Sequence, residues 1–288
     1  MNNTSPYTTG ADTNLKGSTS ALDKANNSAW NFPAVYSTYN KYRGDTSLPG
    51  LFTSNHDIAR VINRIAGGGT VEGLQYQGNV TTSNYASFEQ SADCVKIAEL
   101  MMPGLTWIYY GDEIGMTGNF PDSYDPADVA NIPYADLWYR QPMKWTANGQ
   151  KGDEAGTTDY YVTGSSMKVE QDKVNKSSAV KPALEQMNSE TSEYGILRKF
   201  VALKSGADEV GKALRLGSIS SGTYFASGDL AANVLCFERK SGSTTVKVAV
   251  NFNNQTLSAY GLSGTVLASY NGASASSLPA YSAIVVKA

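Results

Sequence analysis

The sequence predicts an α/β segment followed by an all-β domain, and three observations carry that prediction. Apolar residues Phe88, Ala92, Val95, Ala98 and Met102 recur at spacings of three and four, which is helical periodicity, until Pro103-Gly104 stops it. Leu105-Thr106-Trp107-Ile108-Tyr109-Tyr110 then follows, largely apolar on both faces and rich in β-formers, as a parallel strand buried on two sides should be. After Gly206 the texture changes: Val234-Leu235-Cys236-Phe237, the alternation of Val246, Val248 and Val250, and Tyr281 to Val286 are separated by Gly, Ser and Asn turns.

Taken in chain order, residues 1 to about 28 are rich in Asn, Ser, Thr and Gly and carry no periodic signal. Ala29 to Tyr36 is a short apolar run suited to a strand end, and Leu51-Phe52-Thr53 is a second one that leads into Asn55-His56-Asp57. Ser87, three residues before Gln90, has the pattern of a capping box at the start of the long helix. The strand after that helix ends at Gly111-Asp112-Glu113, so polar residues gather at strand C-termini. From Gly115 to about Ser189 the chain is rich in Gly, Asp, Ser and Pro, and an irregular stretch of that length is more often functional than idle. A further helix is expected from Tyr194 to Lys204, with Tyr194, Leu197 and Val201 on one face. The expected division is 1–210 for the α/β part and 211–288 for the all-β domain.

Composition narrows the function classes. With 41% hydrophobic and 17% charged residues the chain is globular rather than disordered. A formal charge of −3 and the absence of any basic run argue against nucleic acid as a partner, and no apolar stretch is long enough to span a bilayer. Cys94 and Cys236 could pair, but buried free thiols are expected because nothing here needs a staple, and a single histidine leaves few ligands for a zinc site. The N-terminal residues show no basic and apolar signal-peptide pattern, although abundant Ser, Thr, Asn and Tyr suit a secreted polysaccharide enzyme.

Three segments, in this order, resemble the α-amylase family of glycoside hydrolases. Phe52-Thr53-Ser54-Asn55-His56-Asp57, with Arg60 three residues on, looks like the family's seventh-strand motif. Pro103 to Met116, containing Tyr109-Tyr110-Gly111-Asp112-Glu113-Ile114-Gly115, looks like the eighth-strand motif. Arg140-Gln141-Pro142-Met143-Lys144-Trp145 is close to the Arg-x-Pro-Met-x-Trp signature of many bacterial members. The resemblance implies the C-terminal part of a (β/α)₈ TIM barrel, strands six to eight, followed by a small all-β sandwich. It also implies retaining chemistry on starch-like α-glucans, with an α-glucan oligosaccharide or polysaccharide as partner.

Residue by residue, the resemblance makes Asp57 the carboxylate that grips hydroxyls of the distorted sugar and stabilises the transition state. Taken alone, the same residue could be a helix N-cap. His56 is expected to donate to a sugar hydroxyl beside it, while Asn55 orients the turn. Asp125, followed by Pro126, and Arg140 match a pair that holds the non-reducing sugar in relatives, with a gap here longer by about ten residues; the plain alternative is a loop ion pair worth about 0–1 kcal/mol. Trp107, Tyr109 and Trp145 could stack on sugar or simply pack. Asp112 and Glu113 could complete an acid/base site with Asp57, but the resemblance makes them structural.

The pattern breaks upstream. The family's nucleophile and general acid precede the Asn-His-Asp motif, yet before Asp57 this chain has only Asp12, Asp23 and Asp45, none in an Arg-x-Asp setting, and its first glutamate is Glu72. Only one of three catalytic carboxylates is therefore expected, which removes the covalent step and leaving-group protonation. No cofactor is expected in this chain; the resemblance allows calcium in a full-length enzyme. A non-catalytic glucan-binding or partner-assembled half-barrel is the alternative.

Overall fold

A computed structural model describes residues 50–57, 59–66, 80–119, 135–147, 172–222, 224 and 234–288. The expected strand at Ala29–Tyr36 and the candidate Asp125 lie outside the described residues.

The α/β part begins with strand β1 (Gly50–Leu51), helix α1 (Val61–Ala66), helix α2 (Tyr85–Met101) and strand β2 (Leu105–Thr106). β1 and β2 pair in parallel, Gly50 against Leu105 and Leu51 against Thr106, and Trp107 N extends the ladder by donating to Leu51 O at 2.8 Å. Among the described residues the pair is a two-stranded sheet and no closed barrel forms. The expected six-residue buried strand is thus short, and its side chains are open: Leu105 is 51% exposed and Trp107 65%. A parallel strand is apolar on both faces because neighbours cover both. Here β1 is its one strand neighbour among the described residues, so composition alone overstated burial.

Helix α2 starts earlier than the Ser87 capping box suggests. Asn84 occupies the N-cap position without a side-chain bond into the helix; its Oδ1 instead accepts from Thr81 N at 2.7 Å, closing the turn that launches the helix. The apolar stripe Ala92, Val95, Ala98 and Met102 is buried as its period requires, but so are Asp93, Lys96 and Glu99. From Ser91 onward the helix is enclosed all round.

Short helices α3 (Lys173–Lys176) and α4 (Ala183–Gln186) lead to α5 (Glu193–Ser205) and α6 (Glu209–Leu216). Ser192 and Asp208 cap the last two by accepting from Gly195 N and Gly211 N at 3.0 and 2.9 Å. The buried face of α5 runs through Glu193, Leu197, Phe200 and Lys204, whereas Val201 is exposed. The expected face is therefore rotated, because Phe200 wins the core position.

The all-β part holds β3 (Ser218–Ser221), β4 (Val234–Ser241), β5 (Thr244–Asn251), β6 (Leu257–Ser258), β7 (Thr265–Tyr270), β8 (Ser277–Leu278) and β9 (Ser282–Lys287). Five of them form one antiparallel sheet in the order β3-β4-β5-β9-β7, and β6 pairs with β8. Alternation along β5 sends Val246, Val248 and Val250 to one face and Ala249 to the other. The first face shares one apolar core with α2, α5 and α6, which takes in Val95, Phe200, Val210, Leu214 and Phe237; the second packs against Leu262 and Leu278. Residue 210 sits in the first turn of α6, within that shared core. Cys94 and Cys236 are buried free thiols.

Candidate functional site

The turn after β1 is held by its own hydrogen bonds. Asn55 Oδ1 accepts from Asp57 N at 2.7 Å, an Asx turn that fixes Asp57 two residues on. Ser54 Oγ accepts from Val61 N at 2.9 Å at the start of α1, and Arg64 donates to Thr53 O at 3.0 Å. It is Ser54, not Asp57, whose side chain meets the first residue of the helix. Asp57 is left with its carboxylate open to solvent.

Three of the four sequence-predicted site residues come together there. His56 Nε2 lies 3.2 Å from Asp57 Oδ2. Arg140, from 83 residues further along the chain, places a terminal nitrogen 3.3 Å from Asp57 Oδ1 and donates Nε to His56 O at 3.0 Å. His56 and Asp57 are more than half exposed and Arg140 about one-third, so the cluster is accessible from solvent. An open carboxylate flanked by an imidazole and a guanidinium offers acceptors and donors within one small patch. That is the vocabulary needed to hold vicinal hydroxyls by charge-assisted bonds.

Beneath this patch lies a residue whose role the sequence did not disclose. Arg60 is fully buried and donates to Tyr110 O at 2.7 Å, Asp112 Oδ1 at 2.9 Å and Tyr139 O at 3.1 Å, while its guanidinium lies over the rings of Tyr109 and Tyr110. Its presence three residues past the motif was the one signal available. Asp112 is thereby committed to a buried ion pair and not to an acid/base site with Asp57. Gly111 is required beside it: its φ is +89°, and a Cβ there would stand 3.0 Å from the Arg60 guanidinium. Burial pushes the Glu113 carboxyl up, and its Oε2 has no hydrogen-bond partner.

A second network sits deeper, against the sheet. Lys96 forms buried ion pairs with Asp93 at 2.9 Å and with Glu193, and donates to Asp112 O at 2.9 Å. Tyr270 of β7 donates to Asp93 at 3.0 Å, and Tyr85 donates to Gly115 O at 3.0 Å and to Glu193 at 3.4 Å. Burial opposes charge on Lys96, but the Asp93 and Glu193 carboxylates outweigh it and raise its pKa. One cation then faces two carboxylates in a dry site, and burial raises the Glu193 carboxyl well above the usual range. These groups were invisible as a network in the sequence, because Asp93 and Lys96 at i, i+3 look like a solvated helix face.

Among the described residues no three His, Cys, Asp or Glu side chains are grouped to hold a metal ion. Trp145 is exposed and Tyr109 is partly buried against Arg60.

The family model for the α-amylase catalytic domain matches residues 10–204. "Alpha-amylase 3" of Dictyoglomus thermophilum is 31% identical over 96 residues, 33% of this chain and 12% of that protein. The crystal structure of the α-amylase from H.orenii superimposes with a TM-score of 0.60 at 19% identity, covering 90% of this chain and 44% of that one. Trehalose-6-phosphate hydrolase of Bacillus licheniformis gives a TM-score of 0.59 at 18% identity, covering 90% and 47%. The chain thus spans less than half the length of these solved structures, which are similar in fold to it. With a catalytic-domain match over most of its length, the chain belongs to the α-amylase family of glycoside hydrolases.

Proposed function

We propose that this chain supplies the sugar-gripping side of a retaining α-glycosidase site acting on starch-like α-glucans. The cluster of Asp57, His56 and Arg140 supports that reading: three residues with hydroxyl-binding chemistry share one solvent-accessible patch. In this reading Asp57 accepts from two hydroxyls of the bound ring, and those bonds strengthen as the ring flattens toward an oxocarbenium-like transition state. His56 donates to a neighbouring hydroxyl. Arg140 orients the carboxylate while the site is empty, and shares it with the sugar when it is filled. Asp125 remains part of the proposal as a second hydroxyl acceptor.

The nucleophile and general acid are not among the carboxylates that precede Asp57, so the isolated chain is proposed to be catalytically incomplete. Asp112, locked to Arg60, cannot replace them without breaking a buried pair. The expected outcome is that purified chain and its Asp57→Asn variant both release no reducing ends from soluble starch. Release that vanishes in the variant would overturn incompleteness and make Glu113, with its raised carboxyl pKa, the leading acid. Relatives named α-amylase and trehalose-6-phosphate hydrolase share this fold, so short α-linked glucosides run beside starch in the same assay.

A second reading has its own observation. Leu105, Trp107, Ile108 and Tyr110 form an exposed apolar row along and beyond β2, as a strand awaiting a neighbour would. This favours a half-barrel completed by further barrel strands. Gel filtration and analytical ultracentrifugation test it: a monomer with unchanged tryptophan fluorescence at all concentrations counts against completion by a second copy of the chain.

A further inference from the structure

The three-residue segment Tyr139-Arg140-Gln141 has an unusual division of labour. Its outer members are buried, Tyr139 completely and Gln141 nearly so, while Arg140 between them reaches out to Asp57 and His56. Each outer member is held by a different part of the fold. Tyr139 O accepts from Arg60 at 3.1 Å, and Arg60 is itself tied to Tyr110 O and Asp112. Gln141 Oε1 accepts from Asp172 N and from Asn175 Nδ2, both at 3.1 Å.

Those last two partners are fixed in turn. Asp172 accepts from Thr117 Oγ1, from Asn119 N at 2.9 Å and from Val174 N at 2.8 Å, and Asn175 is bonded to both backbone groups of Thr117. Asn63 of α1 closes the ring by accepting from Gly118 N at 2.8 Å and donating to Asn119 Oδ1 at 2.7 Å. The backbone on either side of Arg140 is therefore referenced to Arg60 and α1, which border the Asp57 turn, and to the segment after β2.

We propose that Arg60 and Gln141 are positioning residues that clamp the backbone on both sides of Arg140 and so set its reach to Asp57 and His56, an inference that rests on the reading of this patch as the sugar-binding site. A guanidinium on a long flexible stem holds a defined geometry only if its Cα is placed firmly. Neither clamp touches the patch itself. Arg60 acts through the Tyr139 carbonyl and Gln141 through its own side-chain anchor, so the effect of either is expected to run through Arg140.

That dependence gives a test a merely structural role would not satisfy. The chain contains one histidine, so His56 Hε1 gives a single NMR signal directly beside the patch. The full 288-residue chain is compared with Arg140→Ala, Gln141→Met and the double variant, each first checked for a cooperative far-UV unfolding transition. Gln141→Met is expected to move the His56 signal in the same direction as Arg140→Ala and to add nothing in the Arg140→Ala background. Arg60→Lys, which shortens the fork below Tyr139, is expected to follow the same pattern if it folds. A His56 signal unmoved by Gln141→Met, or moved equally in both backgrounds, overturns the proposal. Titration with maltotriose on the same signal is expected to show roughly threefold weaker binding in Gln141→Met, an effect absent once Arg140 is gone. If maltotriose leaves the unaltered chain's signal in place, the sugar-binding reading fails, while the sugar-free comparison still decides the clamp.

Discussion

The two sheets of this molecule differ in how completely they satisfy themselves. The five-stranded antiparallel sheet has Val246, Val248, Ala249, Val250, Ala283, Ile284 and Val285 fully buried, with helices on one face and the β6–β8 layer on the other. The parallel pair β1–β2 ends in a row of exposed aromatic and aliphatic side chains. An antiparallel sheet closes locally, because hairpins such as β4–β5 bring their partners with them. Parallel strands depend on neighbours supplied by crossovers, so a segment of such a sheet keeps the sequence of a buried strand without its burial. The proposed sugar-binding residues nonetheless hold their arrangement on the less complete side, because their anchors are buried polar contacts in α1, the post-β2 turn and the 139–141 segment.

Substitutions sharpen that contrast. Phe237→Ala removes a fully buried ring from the core shared by the sheet and helices, with an expected loss of about 3–5 kcal/mol in urea unfolding. Lys96→Met leaves Asp93 and Glu193 buried without their cation and is expected to cost about 3–5 kcal/mol by the same measurement. A loss below about 1 kcal/mol would mean that the carboxyls simply take up protons and that the network is not stabilising.

A pH effect of intermediate size comes from Glu99. Burial pushes its carboxyl up to about 8, against the opposing influence of Thr53 and Lys204, and its Oε1 has no hydrogen-bond partner. Above about pH 4.3 the unfolded chain has released this proton, but the folded chain keeps it until about pH 8. The folded state binds more protons in that window, so Glu99 makes stability fall as pH rises, by at most about 1.4 kcal/mol per unit. Glu99→Gln is expected to flatten this slope in urea titrations below neutrality. Lys204, lowered to about 7 by burial, acts in the opposite sense above that pH. The smallest effect is expected at Trp107: Trp107→Ser should change stability by less than about 0.5 kcal/mol while reducing self-association in light scattering. A large loss of stability there would show that the exposed row is packed in solution.

Much of the candidate site was legible because its residues stand in a compact local pattern. Asn55, His56 and Asp57 share one turn, and the Arg140 signature could be tied to it across 83 residues only through the family resemblance. Helices α2 and α5 and strands β4, β5 and β9 follow from periodicity, which is a local property. What escaped was decided by tertiary burial. Asp93, Lys96 and Glu99 have the spacing of a wet helix face, Val201 lost its place to Phe200, and Gln141 looked like an unremarkable member of a signature. In each case the deciding partner lies on an element distant in sequence, such as Tyr270, Glu193 or Asp172.

The bond from Tyr270 to Asp93 has a consequence for anyone who treats the C-terminal sheet as an exchangeable module. A chimera joined between Gly217 and Ser218 would keep every helix of the α/β part intact in sequence, yet it would exchange the phenol that faces Asp93 and the apolar floor beneath Cys94 and Met101. Successful shuffling of these parts therefore demands that donor and recipient agree on this buried tyrosine, and its identity is a simple compatibility marker for such grafts.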